Sequence, residues 1–242
     1  MNLKFSGICV FFQKISTVVS KSIILYTKLL LFKLYMPQMY FEKLKSFCNA
    51  EIFFWHIKEN CDELSNLIAD DGMSLANALK RFKAESRRRE WLAVRALLRS
   101  TPYKGSDILY HGNGKPFLAN NNRHISISHT KEYVAIAVSD YPIGIDVEST
   151  ARNVFAVAKA FLQPEEMALL DASENPGKEA LCLWSAKEAA FKLASESVSV
   201  LKEIGITKNA DNYIVAYPDG TTAVCDVCLL EDIVVACCRE CY

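Results

Sequence analysis

With 242 residues and 51% hydrophobic side chains, the chain can bury a substantial core as one large domain or two smaller ones. Its 28 basic and 28 acidic side chains cancel, yet residues 1–49 hold seven lysines and one acid, Glu42. The rest of the chain is therefore mildly acidic, which excludes a broad nucleic-acid-binding surface but leaves room for a local phosphate pocket.

Residues 1–49 contain the apolar runs GICVFFQKIS and SIILYTKLLLFKLYM, interrupted by Lys14, Lys21, Lys28 and Lys33. No clean window of eighteen apolar residues occurs, so a transmembrane helix is not favoured. A small-residue cleavage site is lacking too. Interfacial attachment through a basic amphipathic segment stays open. The expectation is an accessory extension or a start codon placed too early.

A folded body is expected from Ala50. EIFFWH reads as a short strand, and the acidic and apolar residues after it as a helix around Cys61–Ala69. SLANALKRFKAESRRREWLAVRALLRS reads as one or two helices, with Leu79, Phe82, Trp91, Val94, Leu97 and Leu98 toward a core. Lys80, Lys83 and the Arg87–Arg89 run stay on the polar side, as a solvated face or a phosphate contact. Turn residues at Gly112–Pro116 precede the strand-like HISISHT and EYVAIAVSD, then IGIDVE after Pro142. VFAVAKAFLQPEEMALL and GKEALCLWSAKEAAFKLASE return to helical periodicity, with Pro164 at a first turn. Asp219-Gly220 then signals a hairpin. The order is α+β, and two similar halves are expected at 50–142 and 143–242.

The nine cysteines form no clear secreted framework. Cys225, Cys228, Cys237, Cys238 and Cys241 invite a zinc reading. However, Cys225–Leu229 and Ile233–Cys238 also read as strands around a Leu-Glu-Asp turn. Thiols in a reducing compartment, the cytoplasm, are the expectation.

Within IGIDVE, Asp146 and Glu148 lie two apart and so share one face of the strand, where their repulsion needs solvent, a cation or a basic group. In the helix LWSAKEAAFKLA, Trp184, Glu188 and Lys192 recur every four residues on one side, with Lys187 slightly displaced. Such a pattern is an ordinary ion pair unless the two segments meet. If they meet, three carboxylates offer hard oxygen ligands to Mg²⁺. There is no nucleophile elbow, no dinucleotide fingerprint and no phosphate loop.

GKP (Gly114–Pro116), ISHT (Ile127–Thr130), GIDVE (Gly144–Glu148) and WSAKEAAFK (Trp184–Lys192) stand in the order found in 4'-phosphopantetheinyl transferases. Over residues 50–242 the chain resembles that superfamily, in particular the large monomeric type that activates surfactin synthetase. The resemblance implies two α+β halves related by a pseudo-twofold axis, with coenzyme A and Mg²⁺ in the cleft. It implies transfer of 4'-phosphopantetheine from coenzyme A to a serine of an acyl or peptidyl carrier protein, by a monomer. It assigns Asp146, Glu148 and Glu188 to the metal, and Lys192 to deprotonation of the carrier serine. Ser128, His129, Lys115 and Lys187 become coenzyme or phosphate contacts. Lys80 and Lys83 align more loosely with basic residues near the 3'-phosphate and Arg95 with a neighbouring helix arginine, and Glu165 matches a further acidic active-site position. Departures are Val147 in place of the frequent isoleucine, and LAS after Lys192 where many relatives have a glycine. The alternatives are another Mg²⁺-dependent diphosphate transferase, or a coenzyme- or carrier-binding module without catalysis.

Overall fold

A computed structural model describes residues 50–69, 75–99, 101–104, 107–119, 121–194, 198–209 and 212–241, the Ala76 side chain excepted. The expectations for residues 1–49 lie outside these described residues.

Strand β1 (Glu51–His56) leads into α1 (Cys61–Ile68), α2 (Leu75–Lys80) and α3 (Glu85–Arg99). Asn60 caps α1 in a reciprocal box with Glu63, which satisfies donors that the first turn leaves open. A hairpin, β2 (Ile108–Tyr110) and β3 (Pro116–Leu118), turns through Gly114 at φ 85. Glycine adopts that left-handed conformation without a Cβ clash. Strands β4 (His124–His129) and β5 (Tyr133–Ser139) complete an antiparallel sheet of order β1-β5-β4.

The second half repeats that plan. β6 (Ile143–Ser149) is followed by the short α4 (Ala158–Phe161), α5 (Pro164–Asp171) and the long α6 (Pro176–Leu193). Then come the pair β7 (Gly205–Lys208) and β8 (Tyr213–Ala216), and finally β9 (Thr222–Leu229) and β10 (Ile233–Glu240). The sheet order is β6-β10-β9-β8-β7. In both halves a first strand, helices, a short strand pair and two further strands follow in turn, and the last strand inserts beside the first. The β2–β3 pair stays separate, whereas β7–β8 extends its sheet. The mixed α+β class is as expected.

The two sheets pack face to face. Ala135 and Ala137 of β5 meet Ile143, Ile145, Val147, Val235 and Cys237, with Ile52 and Phe54 alongside. On its outer face the first sheet carries α1 and α3 through Trp91, Leu92, Leu97 and Leu98. On the other side the second sheet carries α6 through Leu183, Ala186, Ala189 and Ala190. Burial of these side chains is the main stabilising term.

Helix α6 lies very close to β6, and Gly144 is the reason it can. A Cβ there would stand 1.9 Å from the Ala189 carbonyl oxygen and 2.8 Å from the Leu193 amide nitrogen. Both obstacles are backbone, so neither can swing aside. Gly144→Ala is expected to cost about 3 kcal/mol, the upper end of overpacking, in urea denaturation. A loss below about 1 kcal/mol would mean that α6 can lift off β6 freely.

Cys225 and Cys238 oppose one another in the β9–β10 register, their sulfurs side by side and both against the Ala186 carbonyl. Among the described residues no three His, Cys, Asp or Glu side chains are gathered closely enough to hold a metal ion, zinc included.

Candidate active site

Alternation along β6 separates two jobs. Ile143, Ile145 and Val147 face the packed sheets. Gly144, Asp146 and Glu148 share the opposite side, toward α6. Asp146 is buried, its Oδ1 accepting from Lys192 Nζ at 2.7 Å and Ser128 Oγ at 2.9 Å. Its Oδ2 accepts from Ser185 Oγ at 2.9 Å. Glu148 Oε1 accepts from Trp184 Nε1 at 2.9 Å and from Arg152 Nη1. The Arg152 guanidinium lies 4.6 Å from the centre of the Trp184 ring. The strand and the helix motifs therefore do meet.

Electrostatics tie Glu188 to the same group. Burial, and then the negative charge of Asp146, push both Glu148 and Glu188 above the usual carboxylate range. The Trp184 hydrogen bond and Arg152 oppose this at Glu148; Lys192 and Arg152 oppose it at Glu188. Three carboxylates that repel one another, with two cations already among them, suit a hard divalent cation such as Mg²⁺ in chemistry. As they stand they do not form a chelate. Lys192 and Arg152 supply the positive charge that the acids need.

Lys192 reaches this place from the last turn of α6. Its Nζ donates to Ser128 Oγ at 2.9 Å and the Ile145 carbonyl at 3.0 Å, besides Asp146. All three ammonium hydrogens are used.

Next along β4, His129 lines a cavity of about 380 Å³ between the turn after α2, α3, the β2–β3 hairpin and β4. Arg81, Arg87, Arg95, Trp91 and Tyr110 also line it, with Glu90 as its acid. Arg95 is only 4% exposed, and its guanidinium stacks 3.6 Å from the Trp91 ring centre. Two buried donors here, Arg95 Nε and Trp91 Nε1, have no protein partner. A buried donor left unpaired is costly, and with Arg81, Arg87 and Arg95 against the single acid Glu90 the cavity lining is net basic, which suits an anionic ligand. His129 Nδ1 stands 3.6 Å from Glu90 Oε2.

Burial pushes His129 below its ordinary value near 6.5; Glu90 opposes this, while Arg87 and Lys192 add to it. The unfolded chain therefore takes up this proton first as pH falls. The His129 contribution to stability is full above about pH 6.5 and is lost as pH drops through the lowered folded value. Thermal unfolding at pH 5.5 and 7.5 should show a smaller acid loss in His129→Gln than in the original chain. Part of the slope should persist through His56, which burial also pushes down. Equal slopes would remove His129 from the balance.

Several expected contacts fall elsewhere. Lys187 is fully buried and donates to Glu166 Oε2 at 2.6 Å and to the carbonyls of Phe161 at 2.8 Å and Ile204 at 2.7 Å. It is a structural cation with no hydrogen left for a coenzyme, which corrects that assignment. Its partner is Glu166, whereas Glu165 is exposed on α5. One residue is about 100° around a helix, enough to exchange a buried acid for a solvated one. Lys115 points away from His129: its Nζ donates at 3.1 Å to the Leu193 carbonyl, beside a second cavity of about 640 Å³. Burial lowers its pKa there. Lys80 and Lys83 are exposed, and Arg81 and Phe82 between them line the His129 cavity instead. Ser128 has its hydroxyl committed to Asp146, Lys192 and the Val147 amide. Reasoning from the sequence missed Arg81, Tyr110, Arg152, Ser185 and Glu166. Only Arg152, four residues beyond Glu148, and Glu166, beside Glu165, left any signal in the spacing.

Comparison with known proteins adds an independent observation. Residues 142–238 match the family model of the 4'-phosphopantetheinyl transferase superfamily. The resemblance read from the motifs is borne out. A 4'-phosphopantetheinyl transferase of Bacillus subtilis is 33% identical over 113 residues, covering 44% of this chain and 50% of that protein. The 4'-phosphopantetheinyl transferase gsp of Aneurinibacillus migulanus is 28% identical over 131 residues, covering 52% and 55%. The chain thus spans about half the length of the curated relatives it matches. Among solved structures, the holo-[acyl-carrier-protein] synthase of Neisseria meningitidis aligns with 42% of this chain and 98% of that one, at 24% identity and a TM-score of 0.37. The superfamily match begins at Pro142, immediately before β6, and includes the acid pair, α6 and the closing strands.

Proposed function

We propose that the chain transfers the 4'-phosphopantetheine arm of coenzyme A to a serine hydroxyl of an acyl or peptidyl carrier protein. One observation carries this reading. Adjacent residues of β4 join two sites: Ser128 touches the Asp146–Lys192 pair, and His129 lines the basic cavity. A diphosphate held across that junction would have its anionic end among Arg81, Arg95 and His129, and its reacting end among the carboxylates. The serine oxygen forms a bond to the β-phosphorus, and the bond to adenosine 3',5'-bisphosphate breaks. The serine proton passes to the Lys192 amine beside Asp146, Lys192 having first given one of its own protons to solvent. Mg²⁺, when held by Asp146, Glu148 and Glu188, supplies positive charge to the diphosphate.

In this reading residues 50–142 and 143–242 are the two halves, and the enzyme works as a cytoplasmic monomer without need of residues 1–49. Among the described residues no helix is long and apolar enough to cross a membrane.

Incubation with coenzyme A, Mg²⁺ and several purified carriers, read by intact mass, tests the reading. The carrier should gain the phosphopantetheine arm, and only with Mg²⁺ present. Coenzyme binding with no gain on any carrier would replace the enzyme with a binding module. Gain of a nucleotide instead of the arm would make it another diphosphate transferase.

A further inference from the structure

Strand β6 pairs with β10 on one side, and its other edge faces β4 from the first half. Buried N–H groups on such an edge need partners. Two serines of ISISH supply them: Ser126 Oγ accepts from the Ile145 amide at 3.0 Å, and Ser128 Oγ from the Val147 amide at 3.1 Å. Both side chains are buried. As fasteners of the seam they are equivalent, one strand step apart.

They differ in what else they hold. The Ser128 hydroxyl also donates to Asp146 Oδ1 and accepts from Lys192 Nζ, each at 2.9 Å. A hydroxyl has one hydrogen and two lone pairs. With Val147 as the third partner, all of them are used. We infer that Ser128 is a positioning residue: it sets the Asp146 carboxylate and the Lys192 ammonium in place, and it does so only while β4 of one half lies against β6 of the other. It carries the docking of the halves into the alignment of the reactive pair. The catalytic consequence rests on the transfer reading above; the positioning does not.

Ser128→Ala, Ser126→Ala and Ser128→Thr separate these roles. Competitive acetylation with acetic anhydride, with Lys208 as the internal reference, measures how firmly Lys192 is held, whether or not the chain transfers anything. Labelling of Lys192 should rise several-fold in Ser128→Ala, stay level in Ser126→Ala, and return toward the original in Ser128→Thr. Amide hydrogen exchange should quicken at Val147 in the first variant and at Ile145 in the second. In transfer assays Ser128→Ala should lose about tenfold in kcat, the worth of one charge-assisted hydrogen bond. The KM for coenzyme A should hold. Equal Lys192 labelling in all variants, or a loss confined to KM, would overturn the inference. If the unaltered chain loads no carrier, the transfer reading fails by itself, and the labelling still decides the positioning.

Discussion

Lys187→Ala is expected to lower folding stability by about 3–5 kcal/mol, the cost of breaking a buried ion pair from one side. The ammonium is fully enclosed, and Glu166 opposite it is 2% exposed. Without the lysine, the carboxylate keeps only the amides of Gln163 and Ile206, both at 2.7 Å, and two buried carbonyls lose their donor. Burial pushes the Lys187 pKa down while the Glu166 carboxylate holds it up. Removing the acid should therefore be milder, because the stranded lysine can shed its proton. Urea denaturation should rank Lys187→Ala well below Glu166→Gln in stability. The Lys187→Ala, Glu166→Gln double variant should lose less than the sum of the two single substitutions. The pair clamps the segment from Phe161 to Glu166 and the start of β7 onto α6, one residue before Glu188. Loss of transfer in these variants should track the unfolded fraction. A Lys187→Ala protein of unchanged stability but weakened coenzyme binding would return the lysine to the coenzyme.

The difference between Lys187 and Lys192 also marks how far the sequence could be read. Period-two alternation was enough to put Asp146 and Glu148 on one face, and hairpin residues such as Asp219-Gly220 were enough to place β8 and β9. Four-residue spacing put Glu188 and Lys192 together on α6. What spacing could not express was which neighbour each side of α6 would meet. That helix is enclosed around most of its circumference, so a charged residue is a buried strut or an active-site group according to its place around the axis, Lys187 and Lys192 standing about 140° apart. The same limit made Glu165 look equivalent to Glu166. Ser185 was hidden for another reason: its hydroxyl acts only across a tertiary gap, from α6 to Asp146, whereas Arg152 showed at most its four-residue spacing from Glu148. Gly144 was legible as part of a motif, but its cause, the backbone of α6 within a Cβ's reach, needed the packed helix.

Lys192→Ala is expected to reduce transfer by about 10²–10⁴-fold, the usual worth of a positioned acid–base group. Coenzyme binding should hold, because Arg81, Arg95 and His129 lie in the cavity on the other side of Ser128. The truncation also leaves Asp146 with two neutral hydroxyl donors and the Ile145 carbonyl with none from Lys192. Lys192 is 28% exposed on its side chain, so water can enter where it cannot at Lys187. Its stability loss should accordingly be the smaller of the two. Kinetics must be compared at temperatures where both proteins are folded, with kcat and the coenzyme KM read separately. The sharper variant is Lys192→Arg. A guanidinium can still face Asp146 and neutralise the acids, but it stays protonated and cannot accept the serine proton. If Lys192 takes that proton, Lys192→Arg should be nearly as slow as Lys192→Ala while keeping more of the stability. Recovery of most of the original kcat by arginine would show that only the positive charge matters, and would move the base to a carboxylate of the cluster.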